Sequence, residues 1–445
     1  MKNLLNNISN LKSSICIIGL GYVGLPMCIN LSKHFKVVGF DIDNSKILKL
    51  KNGISYIDDI SDETVKKFML NNVTVTSNPL NINDCDIFII CVPTPLKDND
   101  DPDLSCINSS MDTIIKYGNL KENKKLIILE STTYPGCTNE LVKNRIEKEF
   151  NLKCGEDFFV SFSPERVDPG NKKIDIRNVP KIIGGCTEFC SNITDNLYKI
   201  IFSKTVIVKN SQTAEMVKFL ENTFRFVNCS FVNEFKMICD SLHIDIDEVI
   251  DAASTKGFGF QAFYPGPGIG GHCVPIDSLY LKKSLENKLM SSKFIDTSVE
   301  VSHKNTDFII SKIMKTIFEK LNKNIDCKIL ILGVAYKKDI SDCRESSFFK
   351  ILKKLNYIGF KNIDFYDPYV SKFRDDNKNI VHSKFDTQEQ MLNFVNEYDL
   401  VLILTDHSNI NYDKLLENSN CIIDTRNIKK FIIDEDVYDN KVIKA

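Results

Sequence analysis

The sequence predicts an α/β chain made of two Rossmann-like open-sheet domains joined by a central all-helical domain, and three observations predict it. Apolar runs of strand length alternate with helical patterns in the first part of the chain. A long middle stretch then reads as helix only, and from residue 327 the strand–helix alternation starts again. The segments fall at 1–208, 209–320 and 321–445. A chain of 445 residues, 43% hydrophobic and 26% charged, is long enough for this architecture.

Taken in order, Ser14 to Ile18 is an apolar run leading into Gly19-Leu-Gly21-Tyr22-Val23-Gly24 and a helical pattern through Met27, Leu31 and Phe35. Strand, glycine turn and helix in that order are what a dinucleotide pyrophosphate needs: a tight turn, close backbone approach and a helix N-terminus. The next strand, Lys36 to Phe40, ends at Asp41, an acid able to bind both ribose hydroxyls. Asp41 would repel a 2′-phosphate, and no Arg or Lys follows before Lys46, so the expected cofactor is NAD rather than NADP.

Further strands are expected at Asp86 to Val92 and Leu126 to Glu130, with a helix after Asp103 between them. Each runs into a polar loop, Cys91-Val-Pro-Thr94-Pro95 and Glu130-Ser131-Thr132-Thr-Tyr134-Pro-Gly136, at a strand's carboxyl end, where open parallel sheets hold ligands. These loops should line the nicotinamide side. Phe158 to Phe162 leads into Ser163-Pro-Glu165-Arg166-Val167-Asp168-Pro-Gly170, a charge cluster with Glu165 as candidate acid/base, set against the plain alternative of solvated turn charges.

From Ser211 to about Leu242 no Gly or Pro interrupts a helical pattern, on which Glu215, Lys218, Asn222 and Arg225 recur at helical spacing. Such a stripe is ordinarily the wet side of a helix. A second helix is expected from Asp245 to Ser254. Tyr264-Pro-Gly-Pro-Gly268-Ile-Gly270-Gly-His-Cys273-Val-Pro-Ile-Asp277 follows, and helix resumes to about Phe318. Glycines and prolines there leave Cys273 reachable, and a thiol beside a helix opened by Pro275 tends toward thiolate. The segment from 209 to 320 should bridge the two sheets and form a dimer contact.

The last segment offers strands at Lys328 to Ala335, Asn362 to Tyr366, Asp399 to Leu404 and Cys421 to Asp424, with helices after Ser346 and near Gln388 to Val395. Its first turn, from Gly333 to Ser346, lacks the second and third glycines of a dinucleotide turn but carries Lys337, Lys338 and Arg344, suited to a nucleotide diphosphate.

The bulk numbers narrow the partners. A net charge of −2 gives no broad basic footprint for nucleic acid, and no apolar run approaches a membrane span. The N-terminal residues lack a secretory pattern, and fifteen cysteines, an odd number, fit a reducing cytoplasm. Cys186 and Cys190 form an isolated pair and the six histidines are scattered, so no metal site is expected.

Gly19-Leu-Gly-Tyr-Val-Gly24-Leu-Pro, Cys91-Val-Pro-Thr-Pro95, Glu130-Ser-Thr132, Gly270-Gly-His-Cys273-Val-Pro-Ile-Asp277, Gly333-Val-Ala-Tyr-Lys337 and Asp342-Cys-Arg344-Glu-Ser together resemble the nucleotide-sugar 6-dehydrogenases, the UDP-glucose and UDP-N-acetylhexosamine group. The resemblance spans nearly the whole chain. It implies an NAD domain, a helical dimerising middle and a UDP-binding last domain. It also implies oxidation of the sugar C6 alcohol to a carboxylate with two NAD and one water, in the service of surface polysaccharide synthesis.

Carried over residue by residue, Cys273 is the expected nucleophile, Lys218 and Asn222 steady the oxyanion, Asp277 positions water, and Glu165 is the base, with Thr132 near the water. The glycine turn (Gly19, Gly21, Tyr22, Val23, Gly24), Asp41, Thr94, Ser131 and Thr132 would hold NAD. Glu165, Arg166, Val167, Lys218, Asn222, Arg225, Tyr264, Gly268, Gly270, Lys337 and Arg344 would meet the UDP-sugar. The stretch Ser163 to Asn171 resembles the UDP-N-acetylhexosamine branch, and the competing readings are UDP-glucose as substrate or a non-catalytic nucleotide-sugar or NAD-binding regulator. Ser278 and Ser346 stand where many relatives have proline, and Tyr134 sits in the loop after Thr132.

Overall fold

The computed structural model describes residues 2–97, 101–166, 175–271, 274–286, 290–375, 377–433 and 435–445. The described residues form two compact units, one of 1–221 with 279–291 and one of 222–278 with 292–445.

In the first unit, β1 (Ser14–Ile18), β2 (Lys36–Phe40), β3 (Val73–Thr76), β4 (Ile87–Ile90), β5 (Leu126–Leu129), β6 (Phe159–Phe162), β7 (Lys181–Gly185) and β8 (Thr205–Ile207) lie in the order β3-β2-β1-β4-β5-β6-β7-β8. The first six have the order of a doubly wound dinucleotide fold. Ile87–Ile90 and Leu126–Leu129 are buried at every position, which is why they read as unbroken apolar runs: helices cover both faces of such a sheet. One pairing departs from the parallel expectation. β6 and β7 run antiparallel, with Ser161 opposite Gly185 and Phe162 opposite Gly184.

In the second unit β9 (Ile329–Leu332), β10 (Ile363–Tyr366), β13 (Leu400–Ile403), β14 (Ile422–Asp424) and β15 (Val442–Lys444) form a parallel sheet in the order β10-β9-β13-β14-β15, beside a separate hairpin of β11 (Lys372–Arg374) and β12 (Ile380–His382). Counted within this sheet the order is again a doubly wound one. Cores fill both of its faces, one around Phe348, Phe365 and Leu402 and the other around Leu330, Val401 and Tyr438.

The helical middle is Ser211–Ser241, Ile246–Ser254, Val274–Glu286 and Lys293–Lys315. The first of these runs 31 residues, as the absence of Gly and Pro predicts, starting in the first unit and ending in the second. The expected single helix up to Phe318 is two helices, with Lys293–Lys315 passing into a short wider turn at Thr316–Lys320. Asp245 caps Ile246–Ser254 through the Asp247 N–H, and Ser346 caps Ser347–Ile358 through Phe348, so a serine here supplies a hydrogen bond that proline could not. No helix among the described residues is long and apolar enough to cross a membrane.

Candidate active site

The glycine turn follows β1 beside the loop after β4, where the strand order reverses and such sheets bind ligands. A Cβ on Gly24 would lie 1.8 Å from the Gly19 carbonyl oxygen, so only glycine lets the helix start this close to the turn. A Cβ on Gly21 would meet nothing within 4 Å, which leaves the face of the turn open for a pyrophosphate. Asp41, buried at the end of β2, accepts hydrogen bonds from Leu20 N and Asp43 N, both 2.9 Å, and pairs with Lys46 at 3.1 Å. It therefore orders the turn as well as facing a cleft of about 350 Å³ lined by Gly19, Asp41, Lys46, Val92 and Ser109. These residues fit an adenosine diphosphate moiety.

Tyr22 and Val23 are half-buried, Thr94 and Ser131 are buried, and Thr132 is half-buried beside Ser131. Ser131 Oγ donates to Val92 O at 2.7 Å and the Tyr280 hydroxyl to the carbonyls of Thr94 and Pro95 at 3.0 and 2.8 Å, tying down both strand-end loops. The loop after β5 is also held by Glu215, whose carboxylate accepts from Gly136 N at 2.6 Å and Thr138 N at 2.8 Å. Burial pushes Glu215 up to about 7 against those donors.

Glu165 follows β6. Its Oε1 accepts from Arg166 N at 2.7 Å, its Oε2 lies 3.6 Å from Lys181 Nζ, and its carbonyl oxygen accepts from Lys218 Nζ at 2.6 Å. Lys218 is thus brought to Glu165 within the first unit. Arg166 turns to the Glu221 carboxylate, 3.1 and 3.2 Å from Nε, and to Pro180 O at 2.8 Å.

Sequence reasoning missed what lies beneath Glu165. Lys181, buried on the antiparallel strand β7, donates to Glu130 Oε2 at 2.9 Å, and the Tyr198 hydroxyl donates to Glu130 Oε1. Burial pushes the Glu130 carboxyl up to about 7, outweighing the pull of Lys181. Burial alone would lower Lys181, but the carboxylates of Glu130 and Glu165 hold it above the usual lysine range. Glu130, which opens the loop expected to line the ligand, is itself a buried carboxyl beneath that loop. Its pairing could not be foreseen because Lys181 lies 51 residues away on a strand with no distinctive pattern.

In the second unit Asn222 donates its side-chain amide to Asp277 Oδ2, joining the long helix to the first turn of Val274–Glu286. Asp277 is buried and Arg225 is exposed. Cys273 and Val167, with Asp168, Gly170 and Asn171, lie outside the described residues.

Before Cys273, the glycines face protein. A Cβ on Gly270 would lie 2.7 Å from Tyr336 Cβ, and one on Gly268 would lie 2.5 Å from Ser347 Oγ. They let this stretch pack against the turn after β9, and Gly271 N donates to Arg344 O at 3.1 Å. Tyr264 is exposed, its hydroxyl donating to Asp251 at 2.8 Å. Arg344 is exposed and forks onto Asp342, at 2.9 and 3.0 Å from Nε and 2.6 Å from Nη2; Lys337 is half-buried nearby in the same turn. That turn is fastened by Asp367, which accepts from Val334 N and Ala335 N at 2.7 and 2.9 Å and meets His407 Nε2 at 3.1 Å.

Three family models match in chain order: the NAD binding domain of the UDP-glucose/GDP-mannose dehydrogenase family over residues 13–202, its central domain over 212–304 and its UDP binding domain over 330–430. A UDP-N-acetyl-D-mannosamine dehydrogenase of Campylobacter jejuni is 34% identical over 406 residues, 89% of this chain and 96% of the relative. The chain belongs to the UDP-glucose/GDP-mannose dehydrogenase family.

Members of this family are NAD-dependent oxidoreductases, and this chain is one of them. A UDP-N-acetyl-D-glucosamine 6-dehydrogenase of Salmonella typhi is 32% identical over 357 residues, covering 80% of this chain and 82% of that protein. A solved UDP-D-ManNAc dehydrogenase from Pyrococcus horikoshii superposes with a TM-score of 0.82 at 31% identity, over 93% of this chain and 96% of that one. The helical middle between two dinucleotide-type sheets is therefore the family architecture.

Proposed function

We propose that this dehydrogenase oxidises the C6 hydroxyl of a UDP-N-acetylhexosamine to the carboxylate in two steps, through a thioester on Cys273. The observation that carries the substrate class is the full-length likeness to enzymes named for UDP-N-acetylmannosamine, at 34% identity and 96% coverage of the relative. Bound NAD supplies the hydride acceptor for both oxidations.

In this reading the chain's own groups do the rest. Lys218 and Asn222 donate toward the C6 oxygen as it gains negative charge, and Cys273 adds to the aldehyde carbon to form a thiohemiacetal, whose oxidised form is a thioester. Water opens the thioester, with Glu165 taking its proton and Asp277 and Thr132 orienting it. Arg166, Val167, Arg225, Tyr264, Lys337 and Arg344 meet the nucleotide sugar. The contacts of Lys218 with Glu165 and of Asn222 with Asp277 support pairing these roles.

The natural partner is a second copy of the chain. Phe224, Phe231 and Phe235 of the long helix are exposed together with Val249 and Phe260, around an apolar groove of about 640 Å³. A two-fold pairing of one helix face with itself would cover it. The product, a nucleotide-activated uronate, suits cytoplasmic synthesis of a surface polysaccharide.

NADH release from UDP-N-acetylglucosamine, UDP-N-acetylmannosamine, UDP-N-acetylgalactosamine and UDP-glucose at equal concentration tests the substrate class. The highest kcat/KM is expected for an N-acetylated sugar, and a clear preference for UDP-glucose would replace this reading with its runner-up.

A further inference from the structure

Beneath Glu165 the first unit buries two carboxyl groups against a single ammonium. Lys181 Nζ donates to Glu130 Oε2 at 2.9 Å and to Pro164 O at 3.4 Å, and lies 3.6 Å from Glu165 Oε2. The side chains of Glu130 and Lys181 are 0% and 4% exposed against 12% for Glu165, so Glu165 is the member of the trio open to water. Glu130 Oε1 also accepts from the Tyr198 hydroxyl, and the rings of Tyr198 and Phe202 cover the ammonium at 5.5 and 5.4 Å.

Of the other titratable groups around the trio among the described residues, Cys91 at the end of β4 faces both carboxyls, and burial, then the Glu130 charge, pushes its thiol up. Tyr198, on the helix Glu188–Tyr198, is raised by the same two causes, so both groups stay neutral near pH 7. From the long helix, Lys218 gives its ammonium to the Glu165 carbonyl oxygen, and Arg166 turns its guanidinium to Glu221. The charge balance therefore rests on Glu130, Glu165 and Lys181, and with both carboxyls ionised the trio holds one negative charge in excess. Burial holds the Glu130 carboxyl at about 7, so its charge changes within the range in which the chain is assayed.

We propose, on the reading of Glu165 as the base, that Lys181 and Glu130 are positioning residues for the hydrolytic step. Lys181, anchored on Glu130 and Pro164, orients the Glu165 carboxylate, and the Glu130 charge offsets that of Lys181 so that Glu165 can take a proton from water. In that step the water oxygen bonds to the thioester carbon, one water proton passes to Glu165, and the carbon–sulfur bond breaks with its electron pair left on Cys273. The acid formed loses its remaining proton to solvent, and the proton on Glu165 passes to the thiolate. When Glu130 is protonated, the Lys181 charge falls on Glu165 uncompensated and opposes its taking a proton.

The test compares Glu130→Gln with the unsubstituted chain at pH 6 and pH 8, using the best substrate of the UDP-sugar panel and saturating NAD. Glutamine keeps the shape of a protonated Glu130 and never ionises. At pH 8, where Glu130 carries its charge in the unsubstituted chain, kcat should be about tenfold lower in Glu130→Gln, with KM within about twofold. At pH 6, where Glu130 is itself protonated, the difference should shrink to about twofold or less. Acid quenching during turnover at pH 8, read by intact mass, should find more of the chain carrying the covalent uronyl group in Glu130→Gln, because water opens the thioester more slowly.

Tyr198→Phe carries the test where the glutamine variant fails to fold. It keeps the ring and removes the donor that favours ionised Glu130, so kcat should climb at higher pH than in the unsubstituted chain. A loss in Glu130→Gln that is equal at both pH values, no loss at all, slower turnover without more adduct, or a climb in Tyr198→Phe at the same or lower pH would overturn the proposal. Glu165→Gln separates the two readings. Undiminished turnover there removes Glu165 as the base, whereas loss in Glu165→Gln with none in Glu130→Gln removes only the role of Lys181 and Glu130.

Discussion

Asn222 donates its side-chain amide to the Asp277 carboxylate, so a residue of the long helix fixes the first turn of the helix that follows Cys273. Both side chains belong to the proposed catalytic set, and the contact predicts that neither acts alone. Asp277→Asn should lower kcat by about 10²-fold with a small change in KM. Asn222→Ala should lower it similarly, and the double variant should lose much less than the product of the two. Steady-state NADH formation measures this, and fully multiplicative losses would show the contact to be incidental.

The Lys181–Glu130 pair under Glu165 predicts a pH-dependent stability. The folded pKa of Glu130 is raised to about 7 from an ordinary 4.5, so its contribution to stability is fully present below the ordinary value. That contribution is lost as pH rises through about 7. Lys181→Met leaves the buried carboxylate without its cation and should cost about 3–5 kcal/mol at pH 8. At pH 5.5, where the variant's Glu130 is protonated, the deficit should be smaller. Urea unfolding at both pH values checks the sign, and a deficit no larger at pH 8 would contradict it.

If two copies pair through the long helix as proposed, Phe231→Glu should shift the chain toward monomer without unfolding it, since Phe231 is 54% exposed. Light scattering after size exclusion, with circular dichroism as the folding control, reads both properties. A chain that is monomeric before substitution would remove the pairing from the account.

Much of this was legible in the sequence for a simple reason. Strands buried on both faces, such as Ile87–Ile90, Leu126–Leu129 and Leu400–Ile403, announce themselves as apolar runs. The glycine turn and the 31-residue helix are local signals too. What stayed hidden depends on distant partners. Lys181 opens its strand as an ordinary lysine, and only the fold makes it the counter-ion of Glu130. The glycines at 268 and 270 serve packing against Tyr336 and Ser347 that no spacing reveals. The antiparallel pairing of β7 with β6 escaped because strand direction leaves no mark in the residues of a short apolar run.

In the proposed mechanism one cysteine carries a sugar through two oxidations. It is tested by counting NADH per molecule of limiting UDP-N-acetylhexosamine, alongside Cys273→Ala. Two NADH and one uronate per sugar are expected for the unsubstituted chain, and no net uronate from Cys273→Ala despite retained binding of NAD and UDP-sugar. One NADH per sugar with an aldehyde product, or undiminished two-step turnover in Cys273→Ala, would contradict it.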